Sequence, residues 1–459
     1  MTATYSNIIK VSDPSPEFLD YCKKELVLNN PGYEKKERLG FWTGDTPRKL
    51  YLYEVHGKEI WVPAGELINV RRFCEVTMPT NRYDRTVDFH GAEVPLYDYQ
   101  TTAVQQVLKY QNGILQAPAG SGKTQMGIAL AVARGKRTLW LTHTHDLLKQ
   151  SKERAERYMD KSLLGTITEG KVNIGECITF ATVQTMSKID LIRYSAEWDT
   201  VIVDECHRVA GTPTAMTMFS AVLNRLSAQY KYGLSATVHR SDGMIRATLA
   251  ILGPVRYIVP DEAVESTTMK VTVIPYATHI QLEPECLNYD GTINYTKMIS
   301  WLTKNWDRNS IILQQIVLNP GESSIILSDR LDQLETLMTC LPDHMRKDAV
   351  MISGKMTSKK AKAERDAAVG QMRTGEKKYL FATYSLCKEG LDIPRLRILY
   401  MASPVKDYAV VTQSIGRIAR AFPDKKGPIC YDFVDDSRYL KRAFQERCRH
   451  YRKAGCNFL

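Results

Sequence analysis

The sequence predicts an α/β protein of two tandem lobes, each a parallel sheet with crossover helices, behind a small α+β domain. Three observations predict it. Short apolar runs alternate with helical stretches from about residue 96 onward. The alternation pauses over a strand-rich bridge at 254–280 and then resumes at similar length, which marks two units of one kind. Ahead of residue 90 the pattern differs and reads as a separate unit. The predicted boundaries are 1–90, 91–265 and 275–459, and a chain of 459 residues can bury that many cores.

In residues 1–90, the segment SPEFLDYCKKELVL places Phe18, Leu19, Cys22, Leu26 and Leu28 near one side of a helix. NNPGY breaks it. RKLYLYEVHGKEIWVPAG then predicts a hairpin: a strand through Leu50, Leu52 and Glu54, a turn at His56-Gly57-Lys58, and a return through Ile60 to Val62. Residues 76–95 are polar, carry Pro79 and Pro95, and read as a linker. The first lobe then takes its strands from GILQA, TLWLTH, CITFATV, TVIVDE and YGLSAT. The second takes SSIILSD, AVMISG, KKYLFAT, ILYMAS and ICYDFV. There is no low-complexity segment and no short repeat.

Composition narrows the class. No run approaches the roughly 18 apolar residues of a membrane span, and MTATYSNIIKVSD does not read as a secretory signal. The ten cysteines form no CxxC pair, which argues against a zinc ribbon and suits a reducing compartment. The expectation is a cytoplasmic protein, in the host cytoplasm if viral, with no membrane partner. The net charge of +11 favours a polyanion. Residues 1–90 hold 13 basic and 13 acidic side chains, so the surplus lies beyond them. The segment 436–459 holds seven basic and two acidic residues. Its part from Arg438 to Lys453 reads either as a helix along a phosphate backbone or as a packing helix with a solvated basic face.

The strongest motif is Ala117-Pro118-Ala119-Gly120-Ser121-Gly122-Lys123-Thr124, between the strand GILQ and the helix TQMGIALAVA. Small residues let backbone N–H groups wrap a phosphate at a helix N-terminus. Lys123 should reach the β- and γ-phosphates of a nucleoside triphosphate, and Thr124 should bind Mg²⁺. Ala117 stands where the usual pattern has Gly. The second motif is Thr200-Val-Ile-Val-Asp204-Glu205-Cys206-His207. A buried strand ends in two carboxylates at the sheet edge where ligands bind. Asp204 is placed to hold Mg²⁺ and Glu205 to act as general base on water. In Gln413-Ser-Ile-Gly-Arg417-Ile-Ala-Arg420 the three named side chains are spaced as on one helix face. Arg417 and Arg420 can then serve as arginine fingers. The HxHD spacing of His143, His145 and Asp146 is poor for a tetrahedral metal and reads as structural or phosphate-contacting.

DECH is a variant of the DExH box, and over residues 96–435 the chain resembles superfamily 2 helicases, built on two RecA-like lobes. The resemblance implies further roles. Gln100, in Tyr97-Asp98-Tyr99-Gln100, would read the adenine edge. Thr142 and His143, Thr182 and Gln184, Ser328 and Arg330, and Thr383 would contact the nucleic-acid strand. His207, Ser235 and Thr237 would couple hydrolysis to that contact. Gly120, Ser121, Gly122, Gly390, Asp392 and Gln413 would complete the nucleotide site. Ser235-Ala-Thr-Val-His-Arg240-Ser-Asp242-Gly243 is similar to the SATPxRxDG string of the XPB/UvsW-like group, with Val238-His239 in place of the proline-containing pair. Leu252-Gly253-Pro254 fits that group too. Its phage members remodel forks, D-loops and Holliday junctions. The resemblance therefore implies an ATP- and Mg²⁺-dependent DNA helicase of 3′→5′ polarity, monomeric, acting on branched DNA in recombination, repair or replication. A DExH-type RNA helicase is the alternative. A nucleic-acid clamp without turnover is disfavoured by the full set of Lys123, Asp204, Glu205, Arg417 and Arg420.

Overall fold

Each of the ten apolar runs becomes a strand in the computed structural model. The structure describes residues 1–78, 86–118, 120–168, 170–210, 213–238, 244–264, 268–353, 359–388, 391, 393–405 and 407–459. The chain divides into two compact units, 1–118 with 122–263, and 264–459 with 119–121.

The first unit is built on an eight-stranded sheet. Its order is Lys171–Asn173, Leu164–Thr168, Ile178–Thr182, Thr138–Thr142, Thr200–Val203, Tyr230–Ser235, Asn112–Gln116 and Val255–Ile258. All pairings are parallel except the edge strand Lys171–Asn173. The strands TLWLT and ITFAT are buried at every residue, because helices cover both faces of a parallel sheet. That is why they read as unbroken apolar runs and not as alternation. The bridge at 254–280 divides its strands: Val255–Ile258 closes this sheet, and Thr272–Ala277 enters the next.

The second unit holds seven parallel strands, ordered Ala349–Ile352, Tyr379–Thr383, Ser324–Ser328, Ile398–Met401, Ile429–Val434, Thr272–Ala277 and Asn457–Phe458. Apolar cores lie against it around Leu380 and Leu399 and around Phe381 and Tyr400. Two buried ion pairs stiffen it. Arg308 Nε donates to Asp435 at 2.8 Å, and Arg447 grips Asp432 through two nitrogens at 2.8 and 2.7 Å. Arg447 lies on the helix Arg438–Lys453, which also buries Leu440, Ala443, Cys448 and Tyr451. Of the two readings of that basic segment, packing holds for this face.

Residues 1–78 form a five-stranded sheet, Glu54–His56, Glu59–Pro63, Ile8–Ser12, Thr2–Tyr5 and Val76–Thr77. The helix Pro16–Glu25 lies with it, capped by Ser15 and burying Phe18 and Cys22. The hairpin is shorter than its alternation predicted. Glu54–His56 pairs with Glu59–Pro63, while Lys49–Tyr51 pairs with Val27–Asn29 in a small sheet of its own.

This region shares its core with the first lobe. Met216, Met244, Ala247 and Ala250 belong to the same apolar cluster as Ile9, Phe18 and Val62. Glu66, almost fully buried, pairs with Arg246 and accepts from Tyr21. Lys231 Nζ donates to the Asn7 carbonyl at 2.8 Å, and Asn112 Nδ2 to that of Ala64 at 3.0 Å. The expected linker is likewise held: Val76–Thr77 pairs in the sheet, and Val87 N donates to Gly135 O at 2.9 Å. Among the described residues no helix is long and apolar enough to cross a membrane.

Candidate functional site

The phosphate loop leaves the buried strand Asn112–Gln116 and enters the helix Lys123–Arg134 through two glycines at positive φ, Gly120 at 88° and Gly122 at 80°. Gly122 is the N-cap, and a Cβ there would stand 2.5 Å from Gln100 Nε2. The requirement is thus steric as well as conformational. It also places the predicted adenine-reading Gln100 against the loop, where its Oε1 accepts from Tyr97 N at 3.0 Å. Gly127, one turn on, brings the helix onto the sheet, since a Cβ would meet Leu234 at 2.5 Å and Trp140 at 2.6 Å. Lys123 Nζ lies 3.4 Å from the carbonyls of Ala117 and Pro118, folded back over its own loop. Ala117, the departure from the usual Gly, is fully buried and donates its N–H to Ser235 O at 2.9 Å. Ser121 is buried and Thr124 partly so.

Asp204 and Glu205 follow the central strand Thr200–Val203. Asp204 accepts from Glu205 N at 2.9 Å and from Ser151 Oγ at 3.4 Å. Glu205 sits at φ 49°, a left-handed conformation that a glutamate adopts at a cost. Burial, with the neighbouring Glu205 charge, pushes the Asp204 carboxyl well above the usual range, against the pull of Lys123. On Glu205 burial acts the same way but is outweighed, first by Lys123 and then by His207, so its carboxyl is held low. Of the two adjacent carboxyls, Asp204 is thus the one that tends to hold a proton, and a cation bound there would favour its charged form. Carboxylate oxygens of this kind, with a hydroxyl such as that of Thr124, are the donor type that fits a hard divalent cation.

His207 joins the acid pair to the third predicted motif. Its Nδ1 lies 3.3 Å from Glu205 Oε2 and 3.1 Å from Ser235 Oγ. The Ser235 hydroxyl donates to Thr237 O at 2.6 Å, so the proton shared with His207 comes from the imidazole. The predicted coupling residues His207, Ser235 and Thr237 are therefore hydrogen-bonded in a chain, and Glu205 stands at ion-pair distance from its imidazole end.

The predicted strand-contacting residues separate into two kinds. Thr142, Thr182 and Ser328 are fully buried, and their hydroxyls are spent locally. Thr142 donates to Thr144 O, Thr182 caps the turn at Thr185, and Ser328 bonds Gln333 at 2.6 Å. They fix turns and do not present a donor to solvent. His143, Gln184, Arg330 and Thr383 are only partly covered. His143 and Gln184 approach within 3.4 Å, and burial followed by the charge of Arg208 lowers the His143 pKa, favouring the neutral ring.

In the second unit Gln413 and Arg417 share one face of the helix Tyr408–Ile418, and Arg417 Nη1 donates to Leu391 O at 2.9 Å. Arg420 is not on that helix. The helix ends at Ile418, and Arg420 pairs in a β-bridge with Thr268. Lys425, which no spacing signalled, ties this end down by donating to the carbonyls of Pro394, Ile418 and Arg420. Burial, with Arg420 adding, brings its ammonium down to about 8. Ser151 was equally silent in sequence, being one polar residue on an ordinary helix. Gly390 and Asp392, and the His239–Gly243 part of the SATxxRxDG string, lie outside the described residues.

Residues 93–240 match the family described as Type III restriction enzyme, res subunit, and residues 307–422 match the Helicase conserved C-terminal domain. The chain belongs to the superfamily 2 helicases. This helicase is 24% identical to the probable helicase D10 of Escherichia phage T5, over 96% of its own length and 92% of that protein's. It is 26% identical to the mimivirus protein L396, described as an ATP-dependent RNA helicase, and 24% identical to the DNA 3′-5′ helicase XPB of Mycobacterium tuberculosis. The helicase spans only 64% and 62% of those two relatives. Its fold resembles that of S. cerevisiae Dbp5 bound to RNA and ADP BeF3, with a TM-score of 0.58 at 16% identity over 79% of this chain and 90% of that one. T4 UvsW aligns over 100% of this chain and 99% of its own, at a TM-score of 0.43 and 17% identity. As members of this family do, the helicase is an enzyme that uses ATP.

Proposed function

We propose that this helicase is a DNA translocase that hydrolyses ATP and remodels branched DNA, moving 3′→5′ as a monomer. The observation that carries the reading is the chain Glu205–His207–Ser235–Thr237, which links a general base to the segment after the strand Tyr230–Ser235. A state of the bound phosphate felt at Glu205 can thereby reach the SAT segment. Lys123 and the helix N-terminus bind the β- and γ-phosphates, and Gln100 the adenine. Thr124 and Asp204 hold Mg²⁺. The ion, when bound, neutralises charge on the transferred phosphoryl group. Glu205 accepts the proton of the attacking water, and Arg417 and Arg420 stabilise the charge that develops. Gln413, Gly390 and Asp392 complete the nucleotide's surroundings. His143, Gln184, Arg330 and Thr383 meet the strand, with Thr142, Thr182 and Ser328 holding their turns.

DNA is favoured by the SATxxRxDG string and by the mycobacterial XPB relative, a DNA 3′-5′ helicase by name. The second reading, an RNA helicase, is supported by the mimivirus relative. ATP turnover and strand separation measured on single-stranded DNA, duplex, fork, four-way junction and single-stranded RNA decide between them. The DNA reading expects forks and junctions to be resolved and DNA to stimulate turnover far more than RNA. Greater stimulation by RNA, with no junction remodelled, would overturn it.

A further inference from the structure

An exposed aromatic pair, Phe41 and Trp42, stands on the amino-terminal region far from any motif in sequence. Trp42 is 87% exposed and Phe41 64%. Single exposed apolar residues are ordinary, and Tyr289 and Ile192 are others here, so the pair matters for being adjacent and for what flanks it. The segment that carries them is well tied. Phe41 N donates to Lys36 O at 2.9 Å, Lys36 Nζ to Thr46 Oγ1 at 2.7 Å, and Asn30 Nδ2 to Pro47 O at 2.7 Å. The indole lies against Gly44, where a Cβ would come within 2.8 Å of the ring. Gly44 has φ 49° and so lets the loop fold back under the ring. The loop is therefore tied, and the Trp42 ring rests against Gly44 with most of its surface bare.

The surroundings are basic. The preceding helix, Pro31–Arg38, buries no residue, and Lys35, Arg38, Arg48 and Lys49 are all exposed. Between residues 35 and 49 five basic side chains face two acidic ones, although residues 1–90 as a whole are neutral. Exposed aromatic faces with exposed cations on the flanking residues are what a single strand of nucleic acid needs: a π-surface for a base and charges for its phosphates. A protein partner would instead call for an apolar patch larger than Phe41, Trp42 and the half-exposed Leu39.

We infer that Phe41 and Trp42 form a stacking site for an unpaired nucleobase, with Lys35, Arg38, Arg48 and Lys49 contacting the flanking phosphates. The inference rests on the reading of the chain as a motor on nucleic acid, and gives the amino-terminal region its own grip on an opened strand. Stacking tolerates any base, so recognition here is of unpairedness and not of sequence.

The test uses the full chain and an oligothymidylate of about 12 nucleotides, its RNA counterpart, and the same DNA with abasic sites. Tryptophan emission should be quenched on binding, and most of that quench should vanish in Trp42→Phe, which still binds within a few-fold of the wild type. Trp42→Ala should bind about 5- to 100-fold more weakly, as expected for loss of one stacked base. Its dependence on salt should be unchanged, because the phosphate contacts remain. Abasic DNA should not distinguish it from the wild type. ATP turnover without nucleic acid should be unaltered, since the loop lies outside the hydrolytic machinery. A loss on DNA, on RNA or on both supports the site. Wild-type affinity of Trp42→Ala for both polymers, or a quench that survives in Trp42→Phe, overturns it and leaves the rings to a protein partner. Failure of the underlying reading looks different: no polymer would then stimulate turnover even in the wild type.

Discussion

In the second unit Arg308 and Arg447 are buried and each is matched by a carboxylate, Asp435 and Asp432. In the first, the buried Asp204 and the partly buried Glu205 stand side by side, and the charges of Lys123, His207 and Arg208 act on them without a buried salt bridge like those of Arg308 and Arg447 among the described residues. Lys231 is buried there too, and among the described residues its ammonium reaches two carbonyl oxygens, of Asn7 and Leu223. The difference separates two uses of buried charge. A matched pair spends its electrostatics within the fold, and breaking it leaves a bare charge. Carboxylates that feel cations mainly at a distance keep more of their electrostatics for a ligand. A strongly basic chain can therefore carry arginines that never see a phosphate, and charge totals cannot say which they are.

The sharpest contrast is between arginines. Arg420→Ala should lower ATP turnover by about 10³- to 10⁵-fold, as loss of an arginine finger does, with the melting temperature unchanged and ATP binding weakened far less. Near-normal turnover in that variant would remove Arg420 from the hydrolytic set. Glu205→Gln comes next. Turnover should fall by about 10²- to 10⁴-fold while ATP still binds, because the amide keeps size but cannot take a proton. If the variant lost ATP binding instead, the strained backbone at Glu205 would be serving structure.

Asp432→Ala should show the opposite signature. Leaving Arg447 buried without its counter-charge, with only the Val405 carbonyl among the described residues to accept from it, should cost about 3–5 kcal/mol of stability. Chemical denaturation would read that loss, and turnover per folded molecule should stay near wild type. A drop in turnover without a drop in stability would join the pair to catalysis. The smallest effect concerns Lys231, whose ammonium burial brings down from 10.5 to about 7. Below that value both folded and unfolded chains carry the proton, and the cost of burying it is full. Between about 7 and 10.5 only the unfolded chain does, so this group makes stability climb with pH, by at most about 1.4 kcal/mol per pH unit. Lys231→Met should flatten that part of the denaturation profile. An identical slope in both proteins would show that Lys231 holds its proton in the fold.

The sequence by itself determined ten strands of the two lobes' sheets, the tandem of two α/β units, the phosphate loop and the acid pair. Each of these is written within one strand, turn and helix, where spacing and apolar continuity suffice. Trp42 and its basic neighbours were equally present in sequence, but exposure is a property of the fold. Only the tertiary structure decided what meets across the sheet order: Gln100 against Gly122, His207 between Glu205 and Ser235, and Lys425 on the carbonyl of Arg420. It also turned Thr142, Thr182 and Ser328 inward, because a hydroxyl at the end of a buried strand is taken by the nearest open N–H or carbonyl of its own turn. It set Arg420 beyond its helix, where continued periodicity would have kept it on the face of Arg417. And it sealed residues 1–78 onto the first lobe through a common core, since neutral charge and a polar stretch at 76–95 say nothing of which apolar faces will find each other.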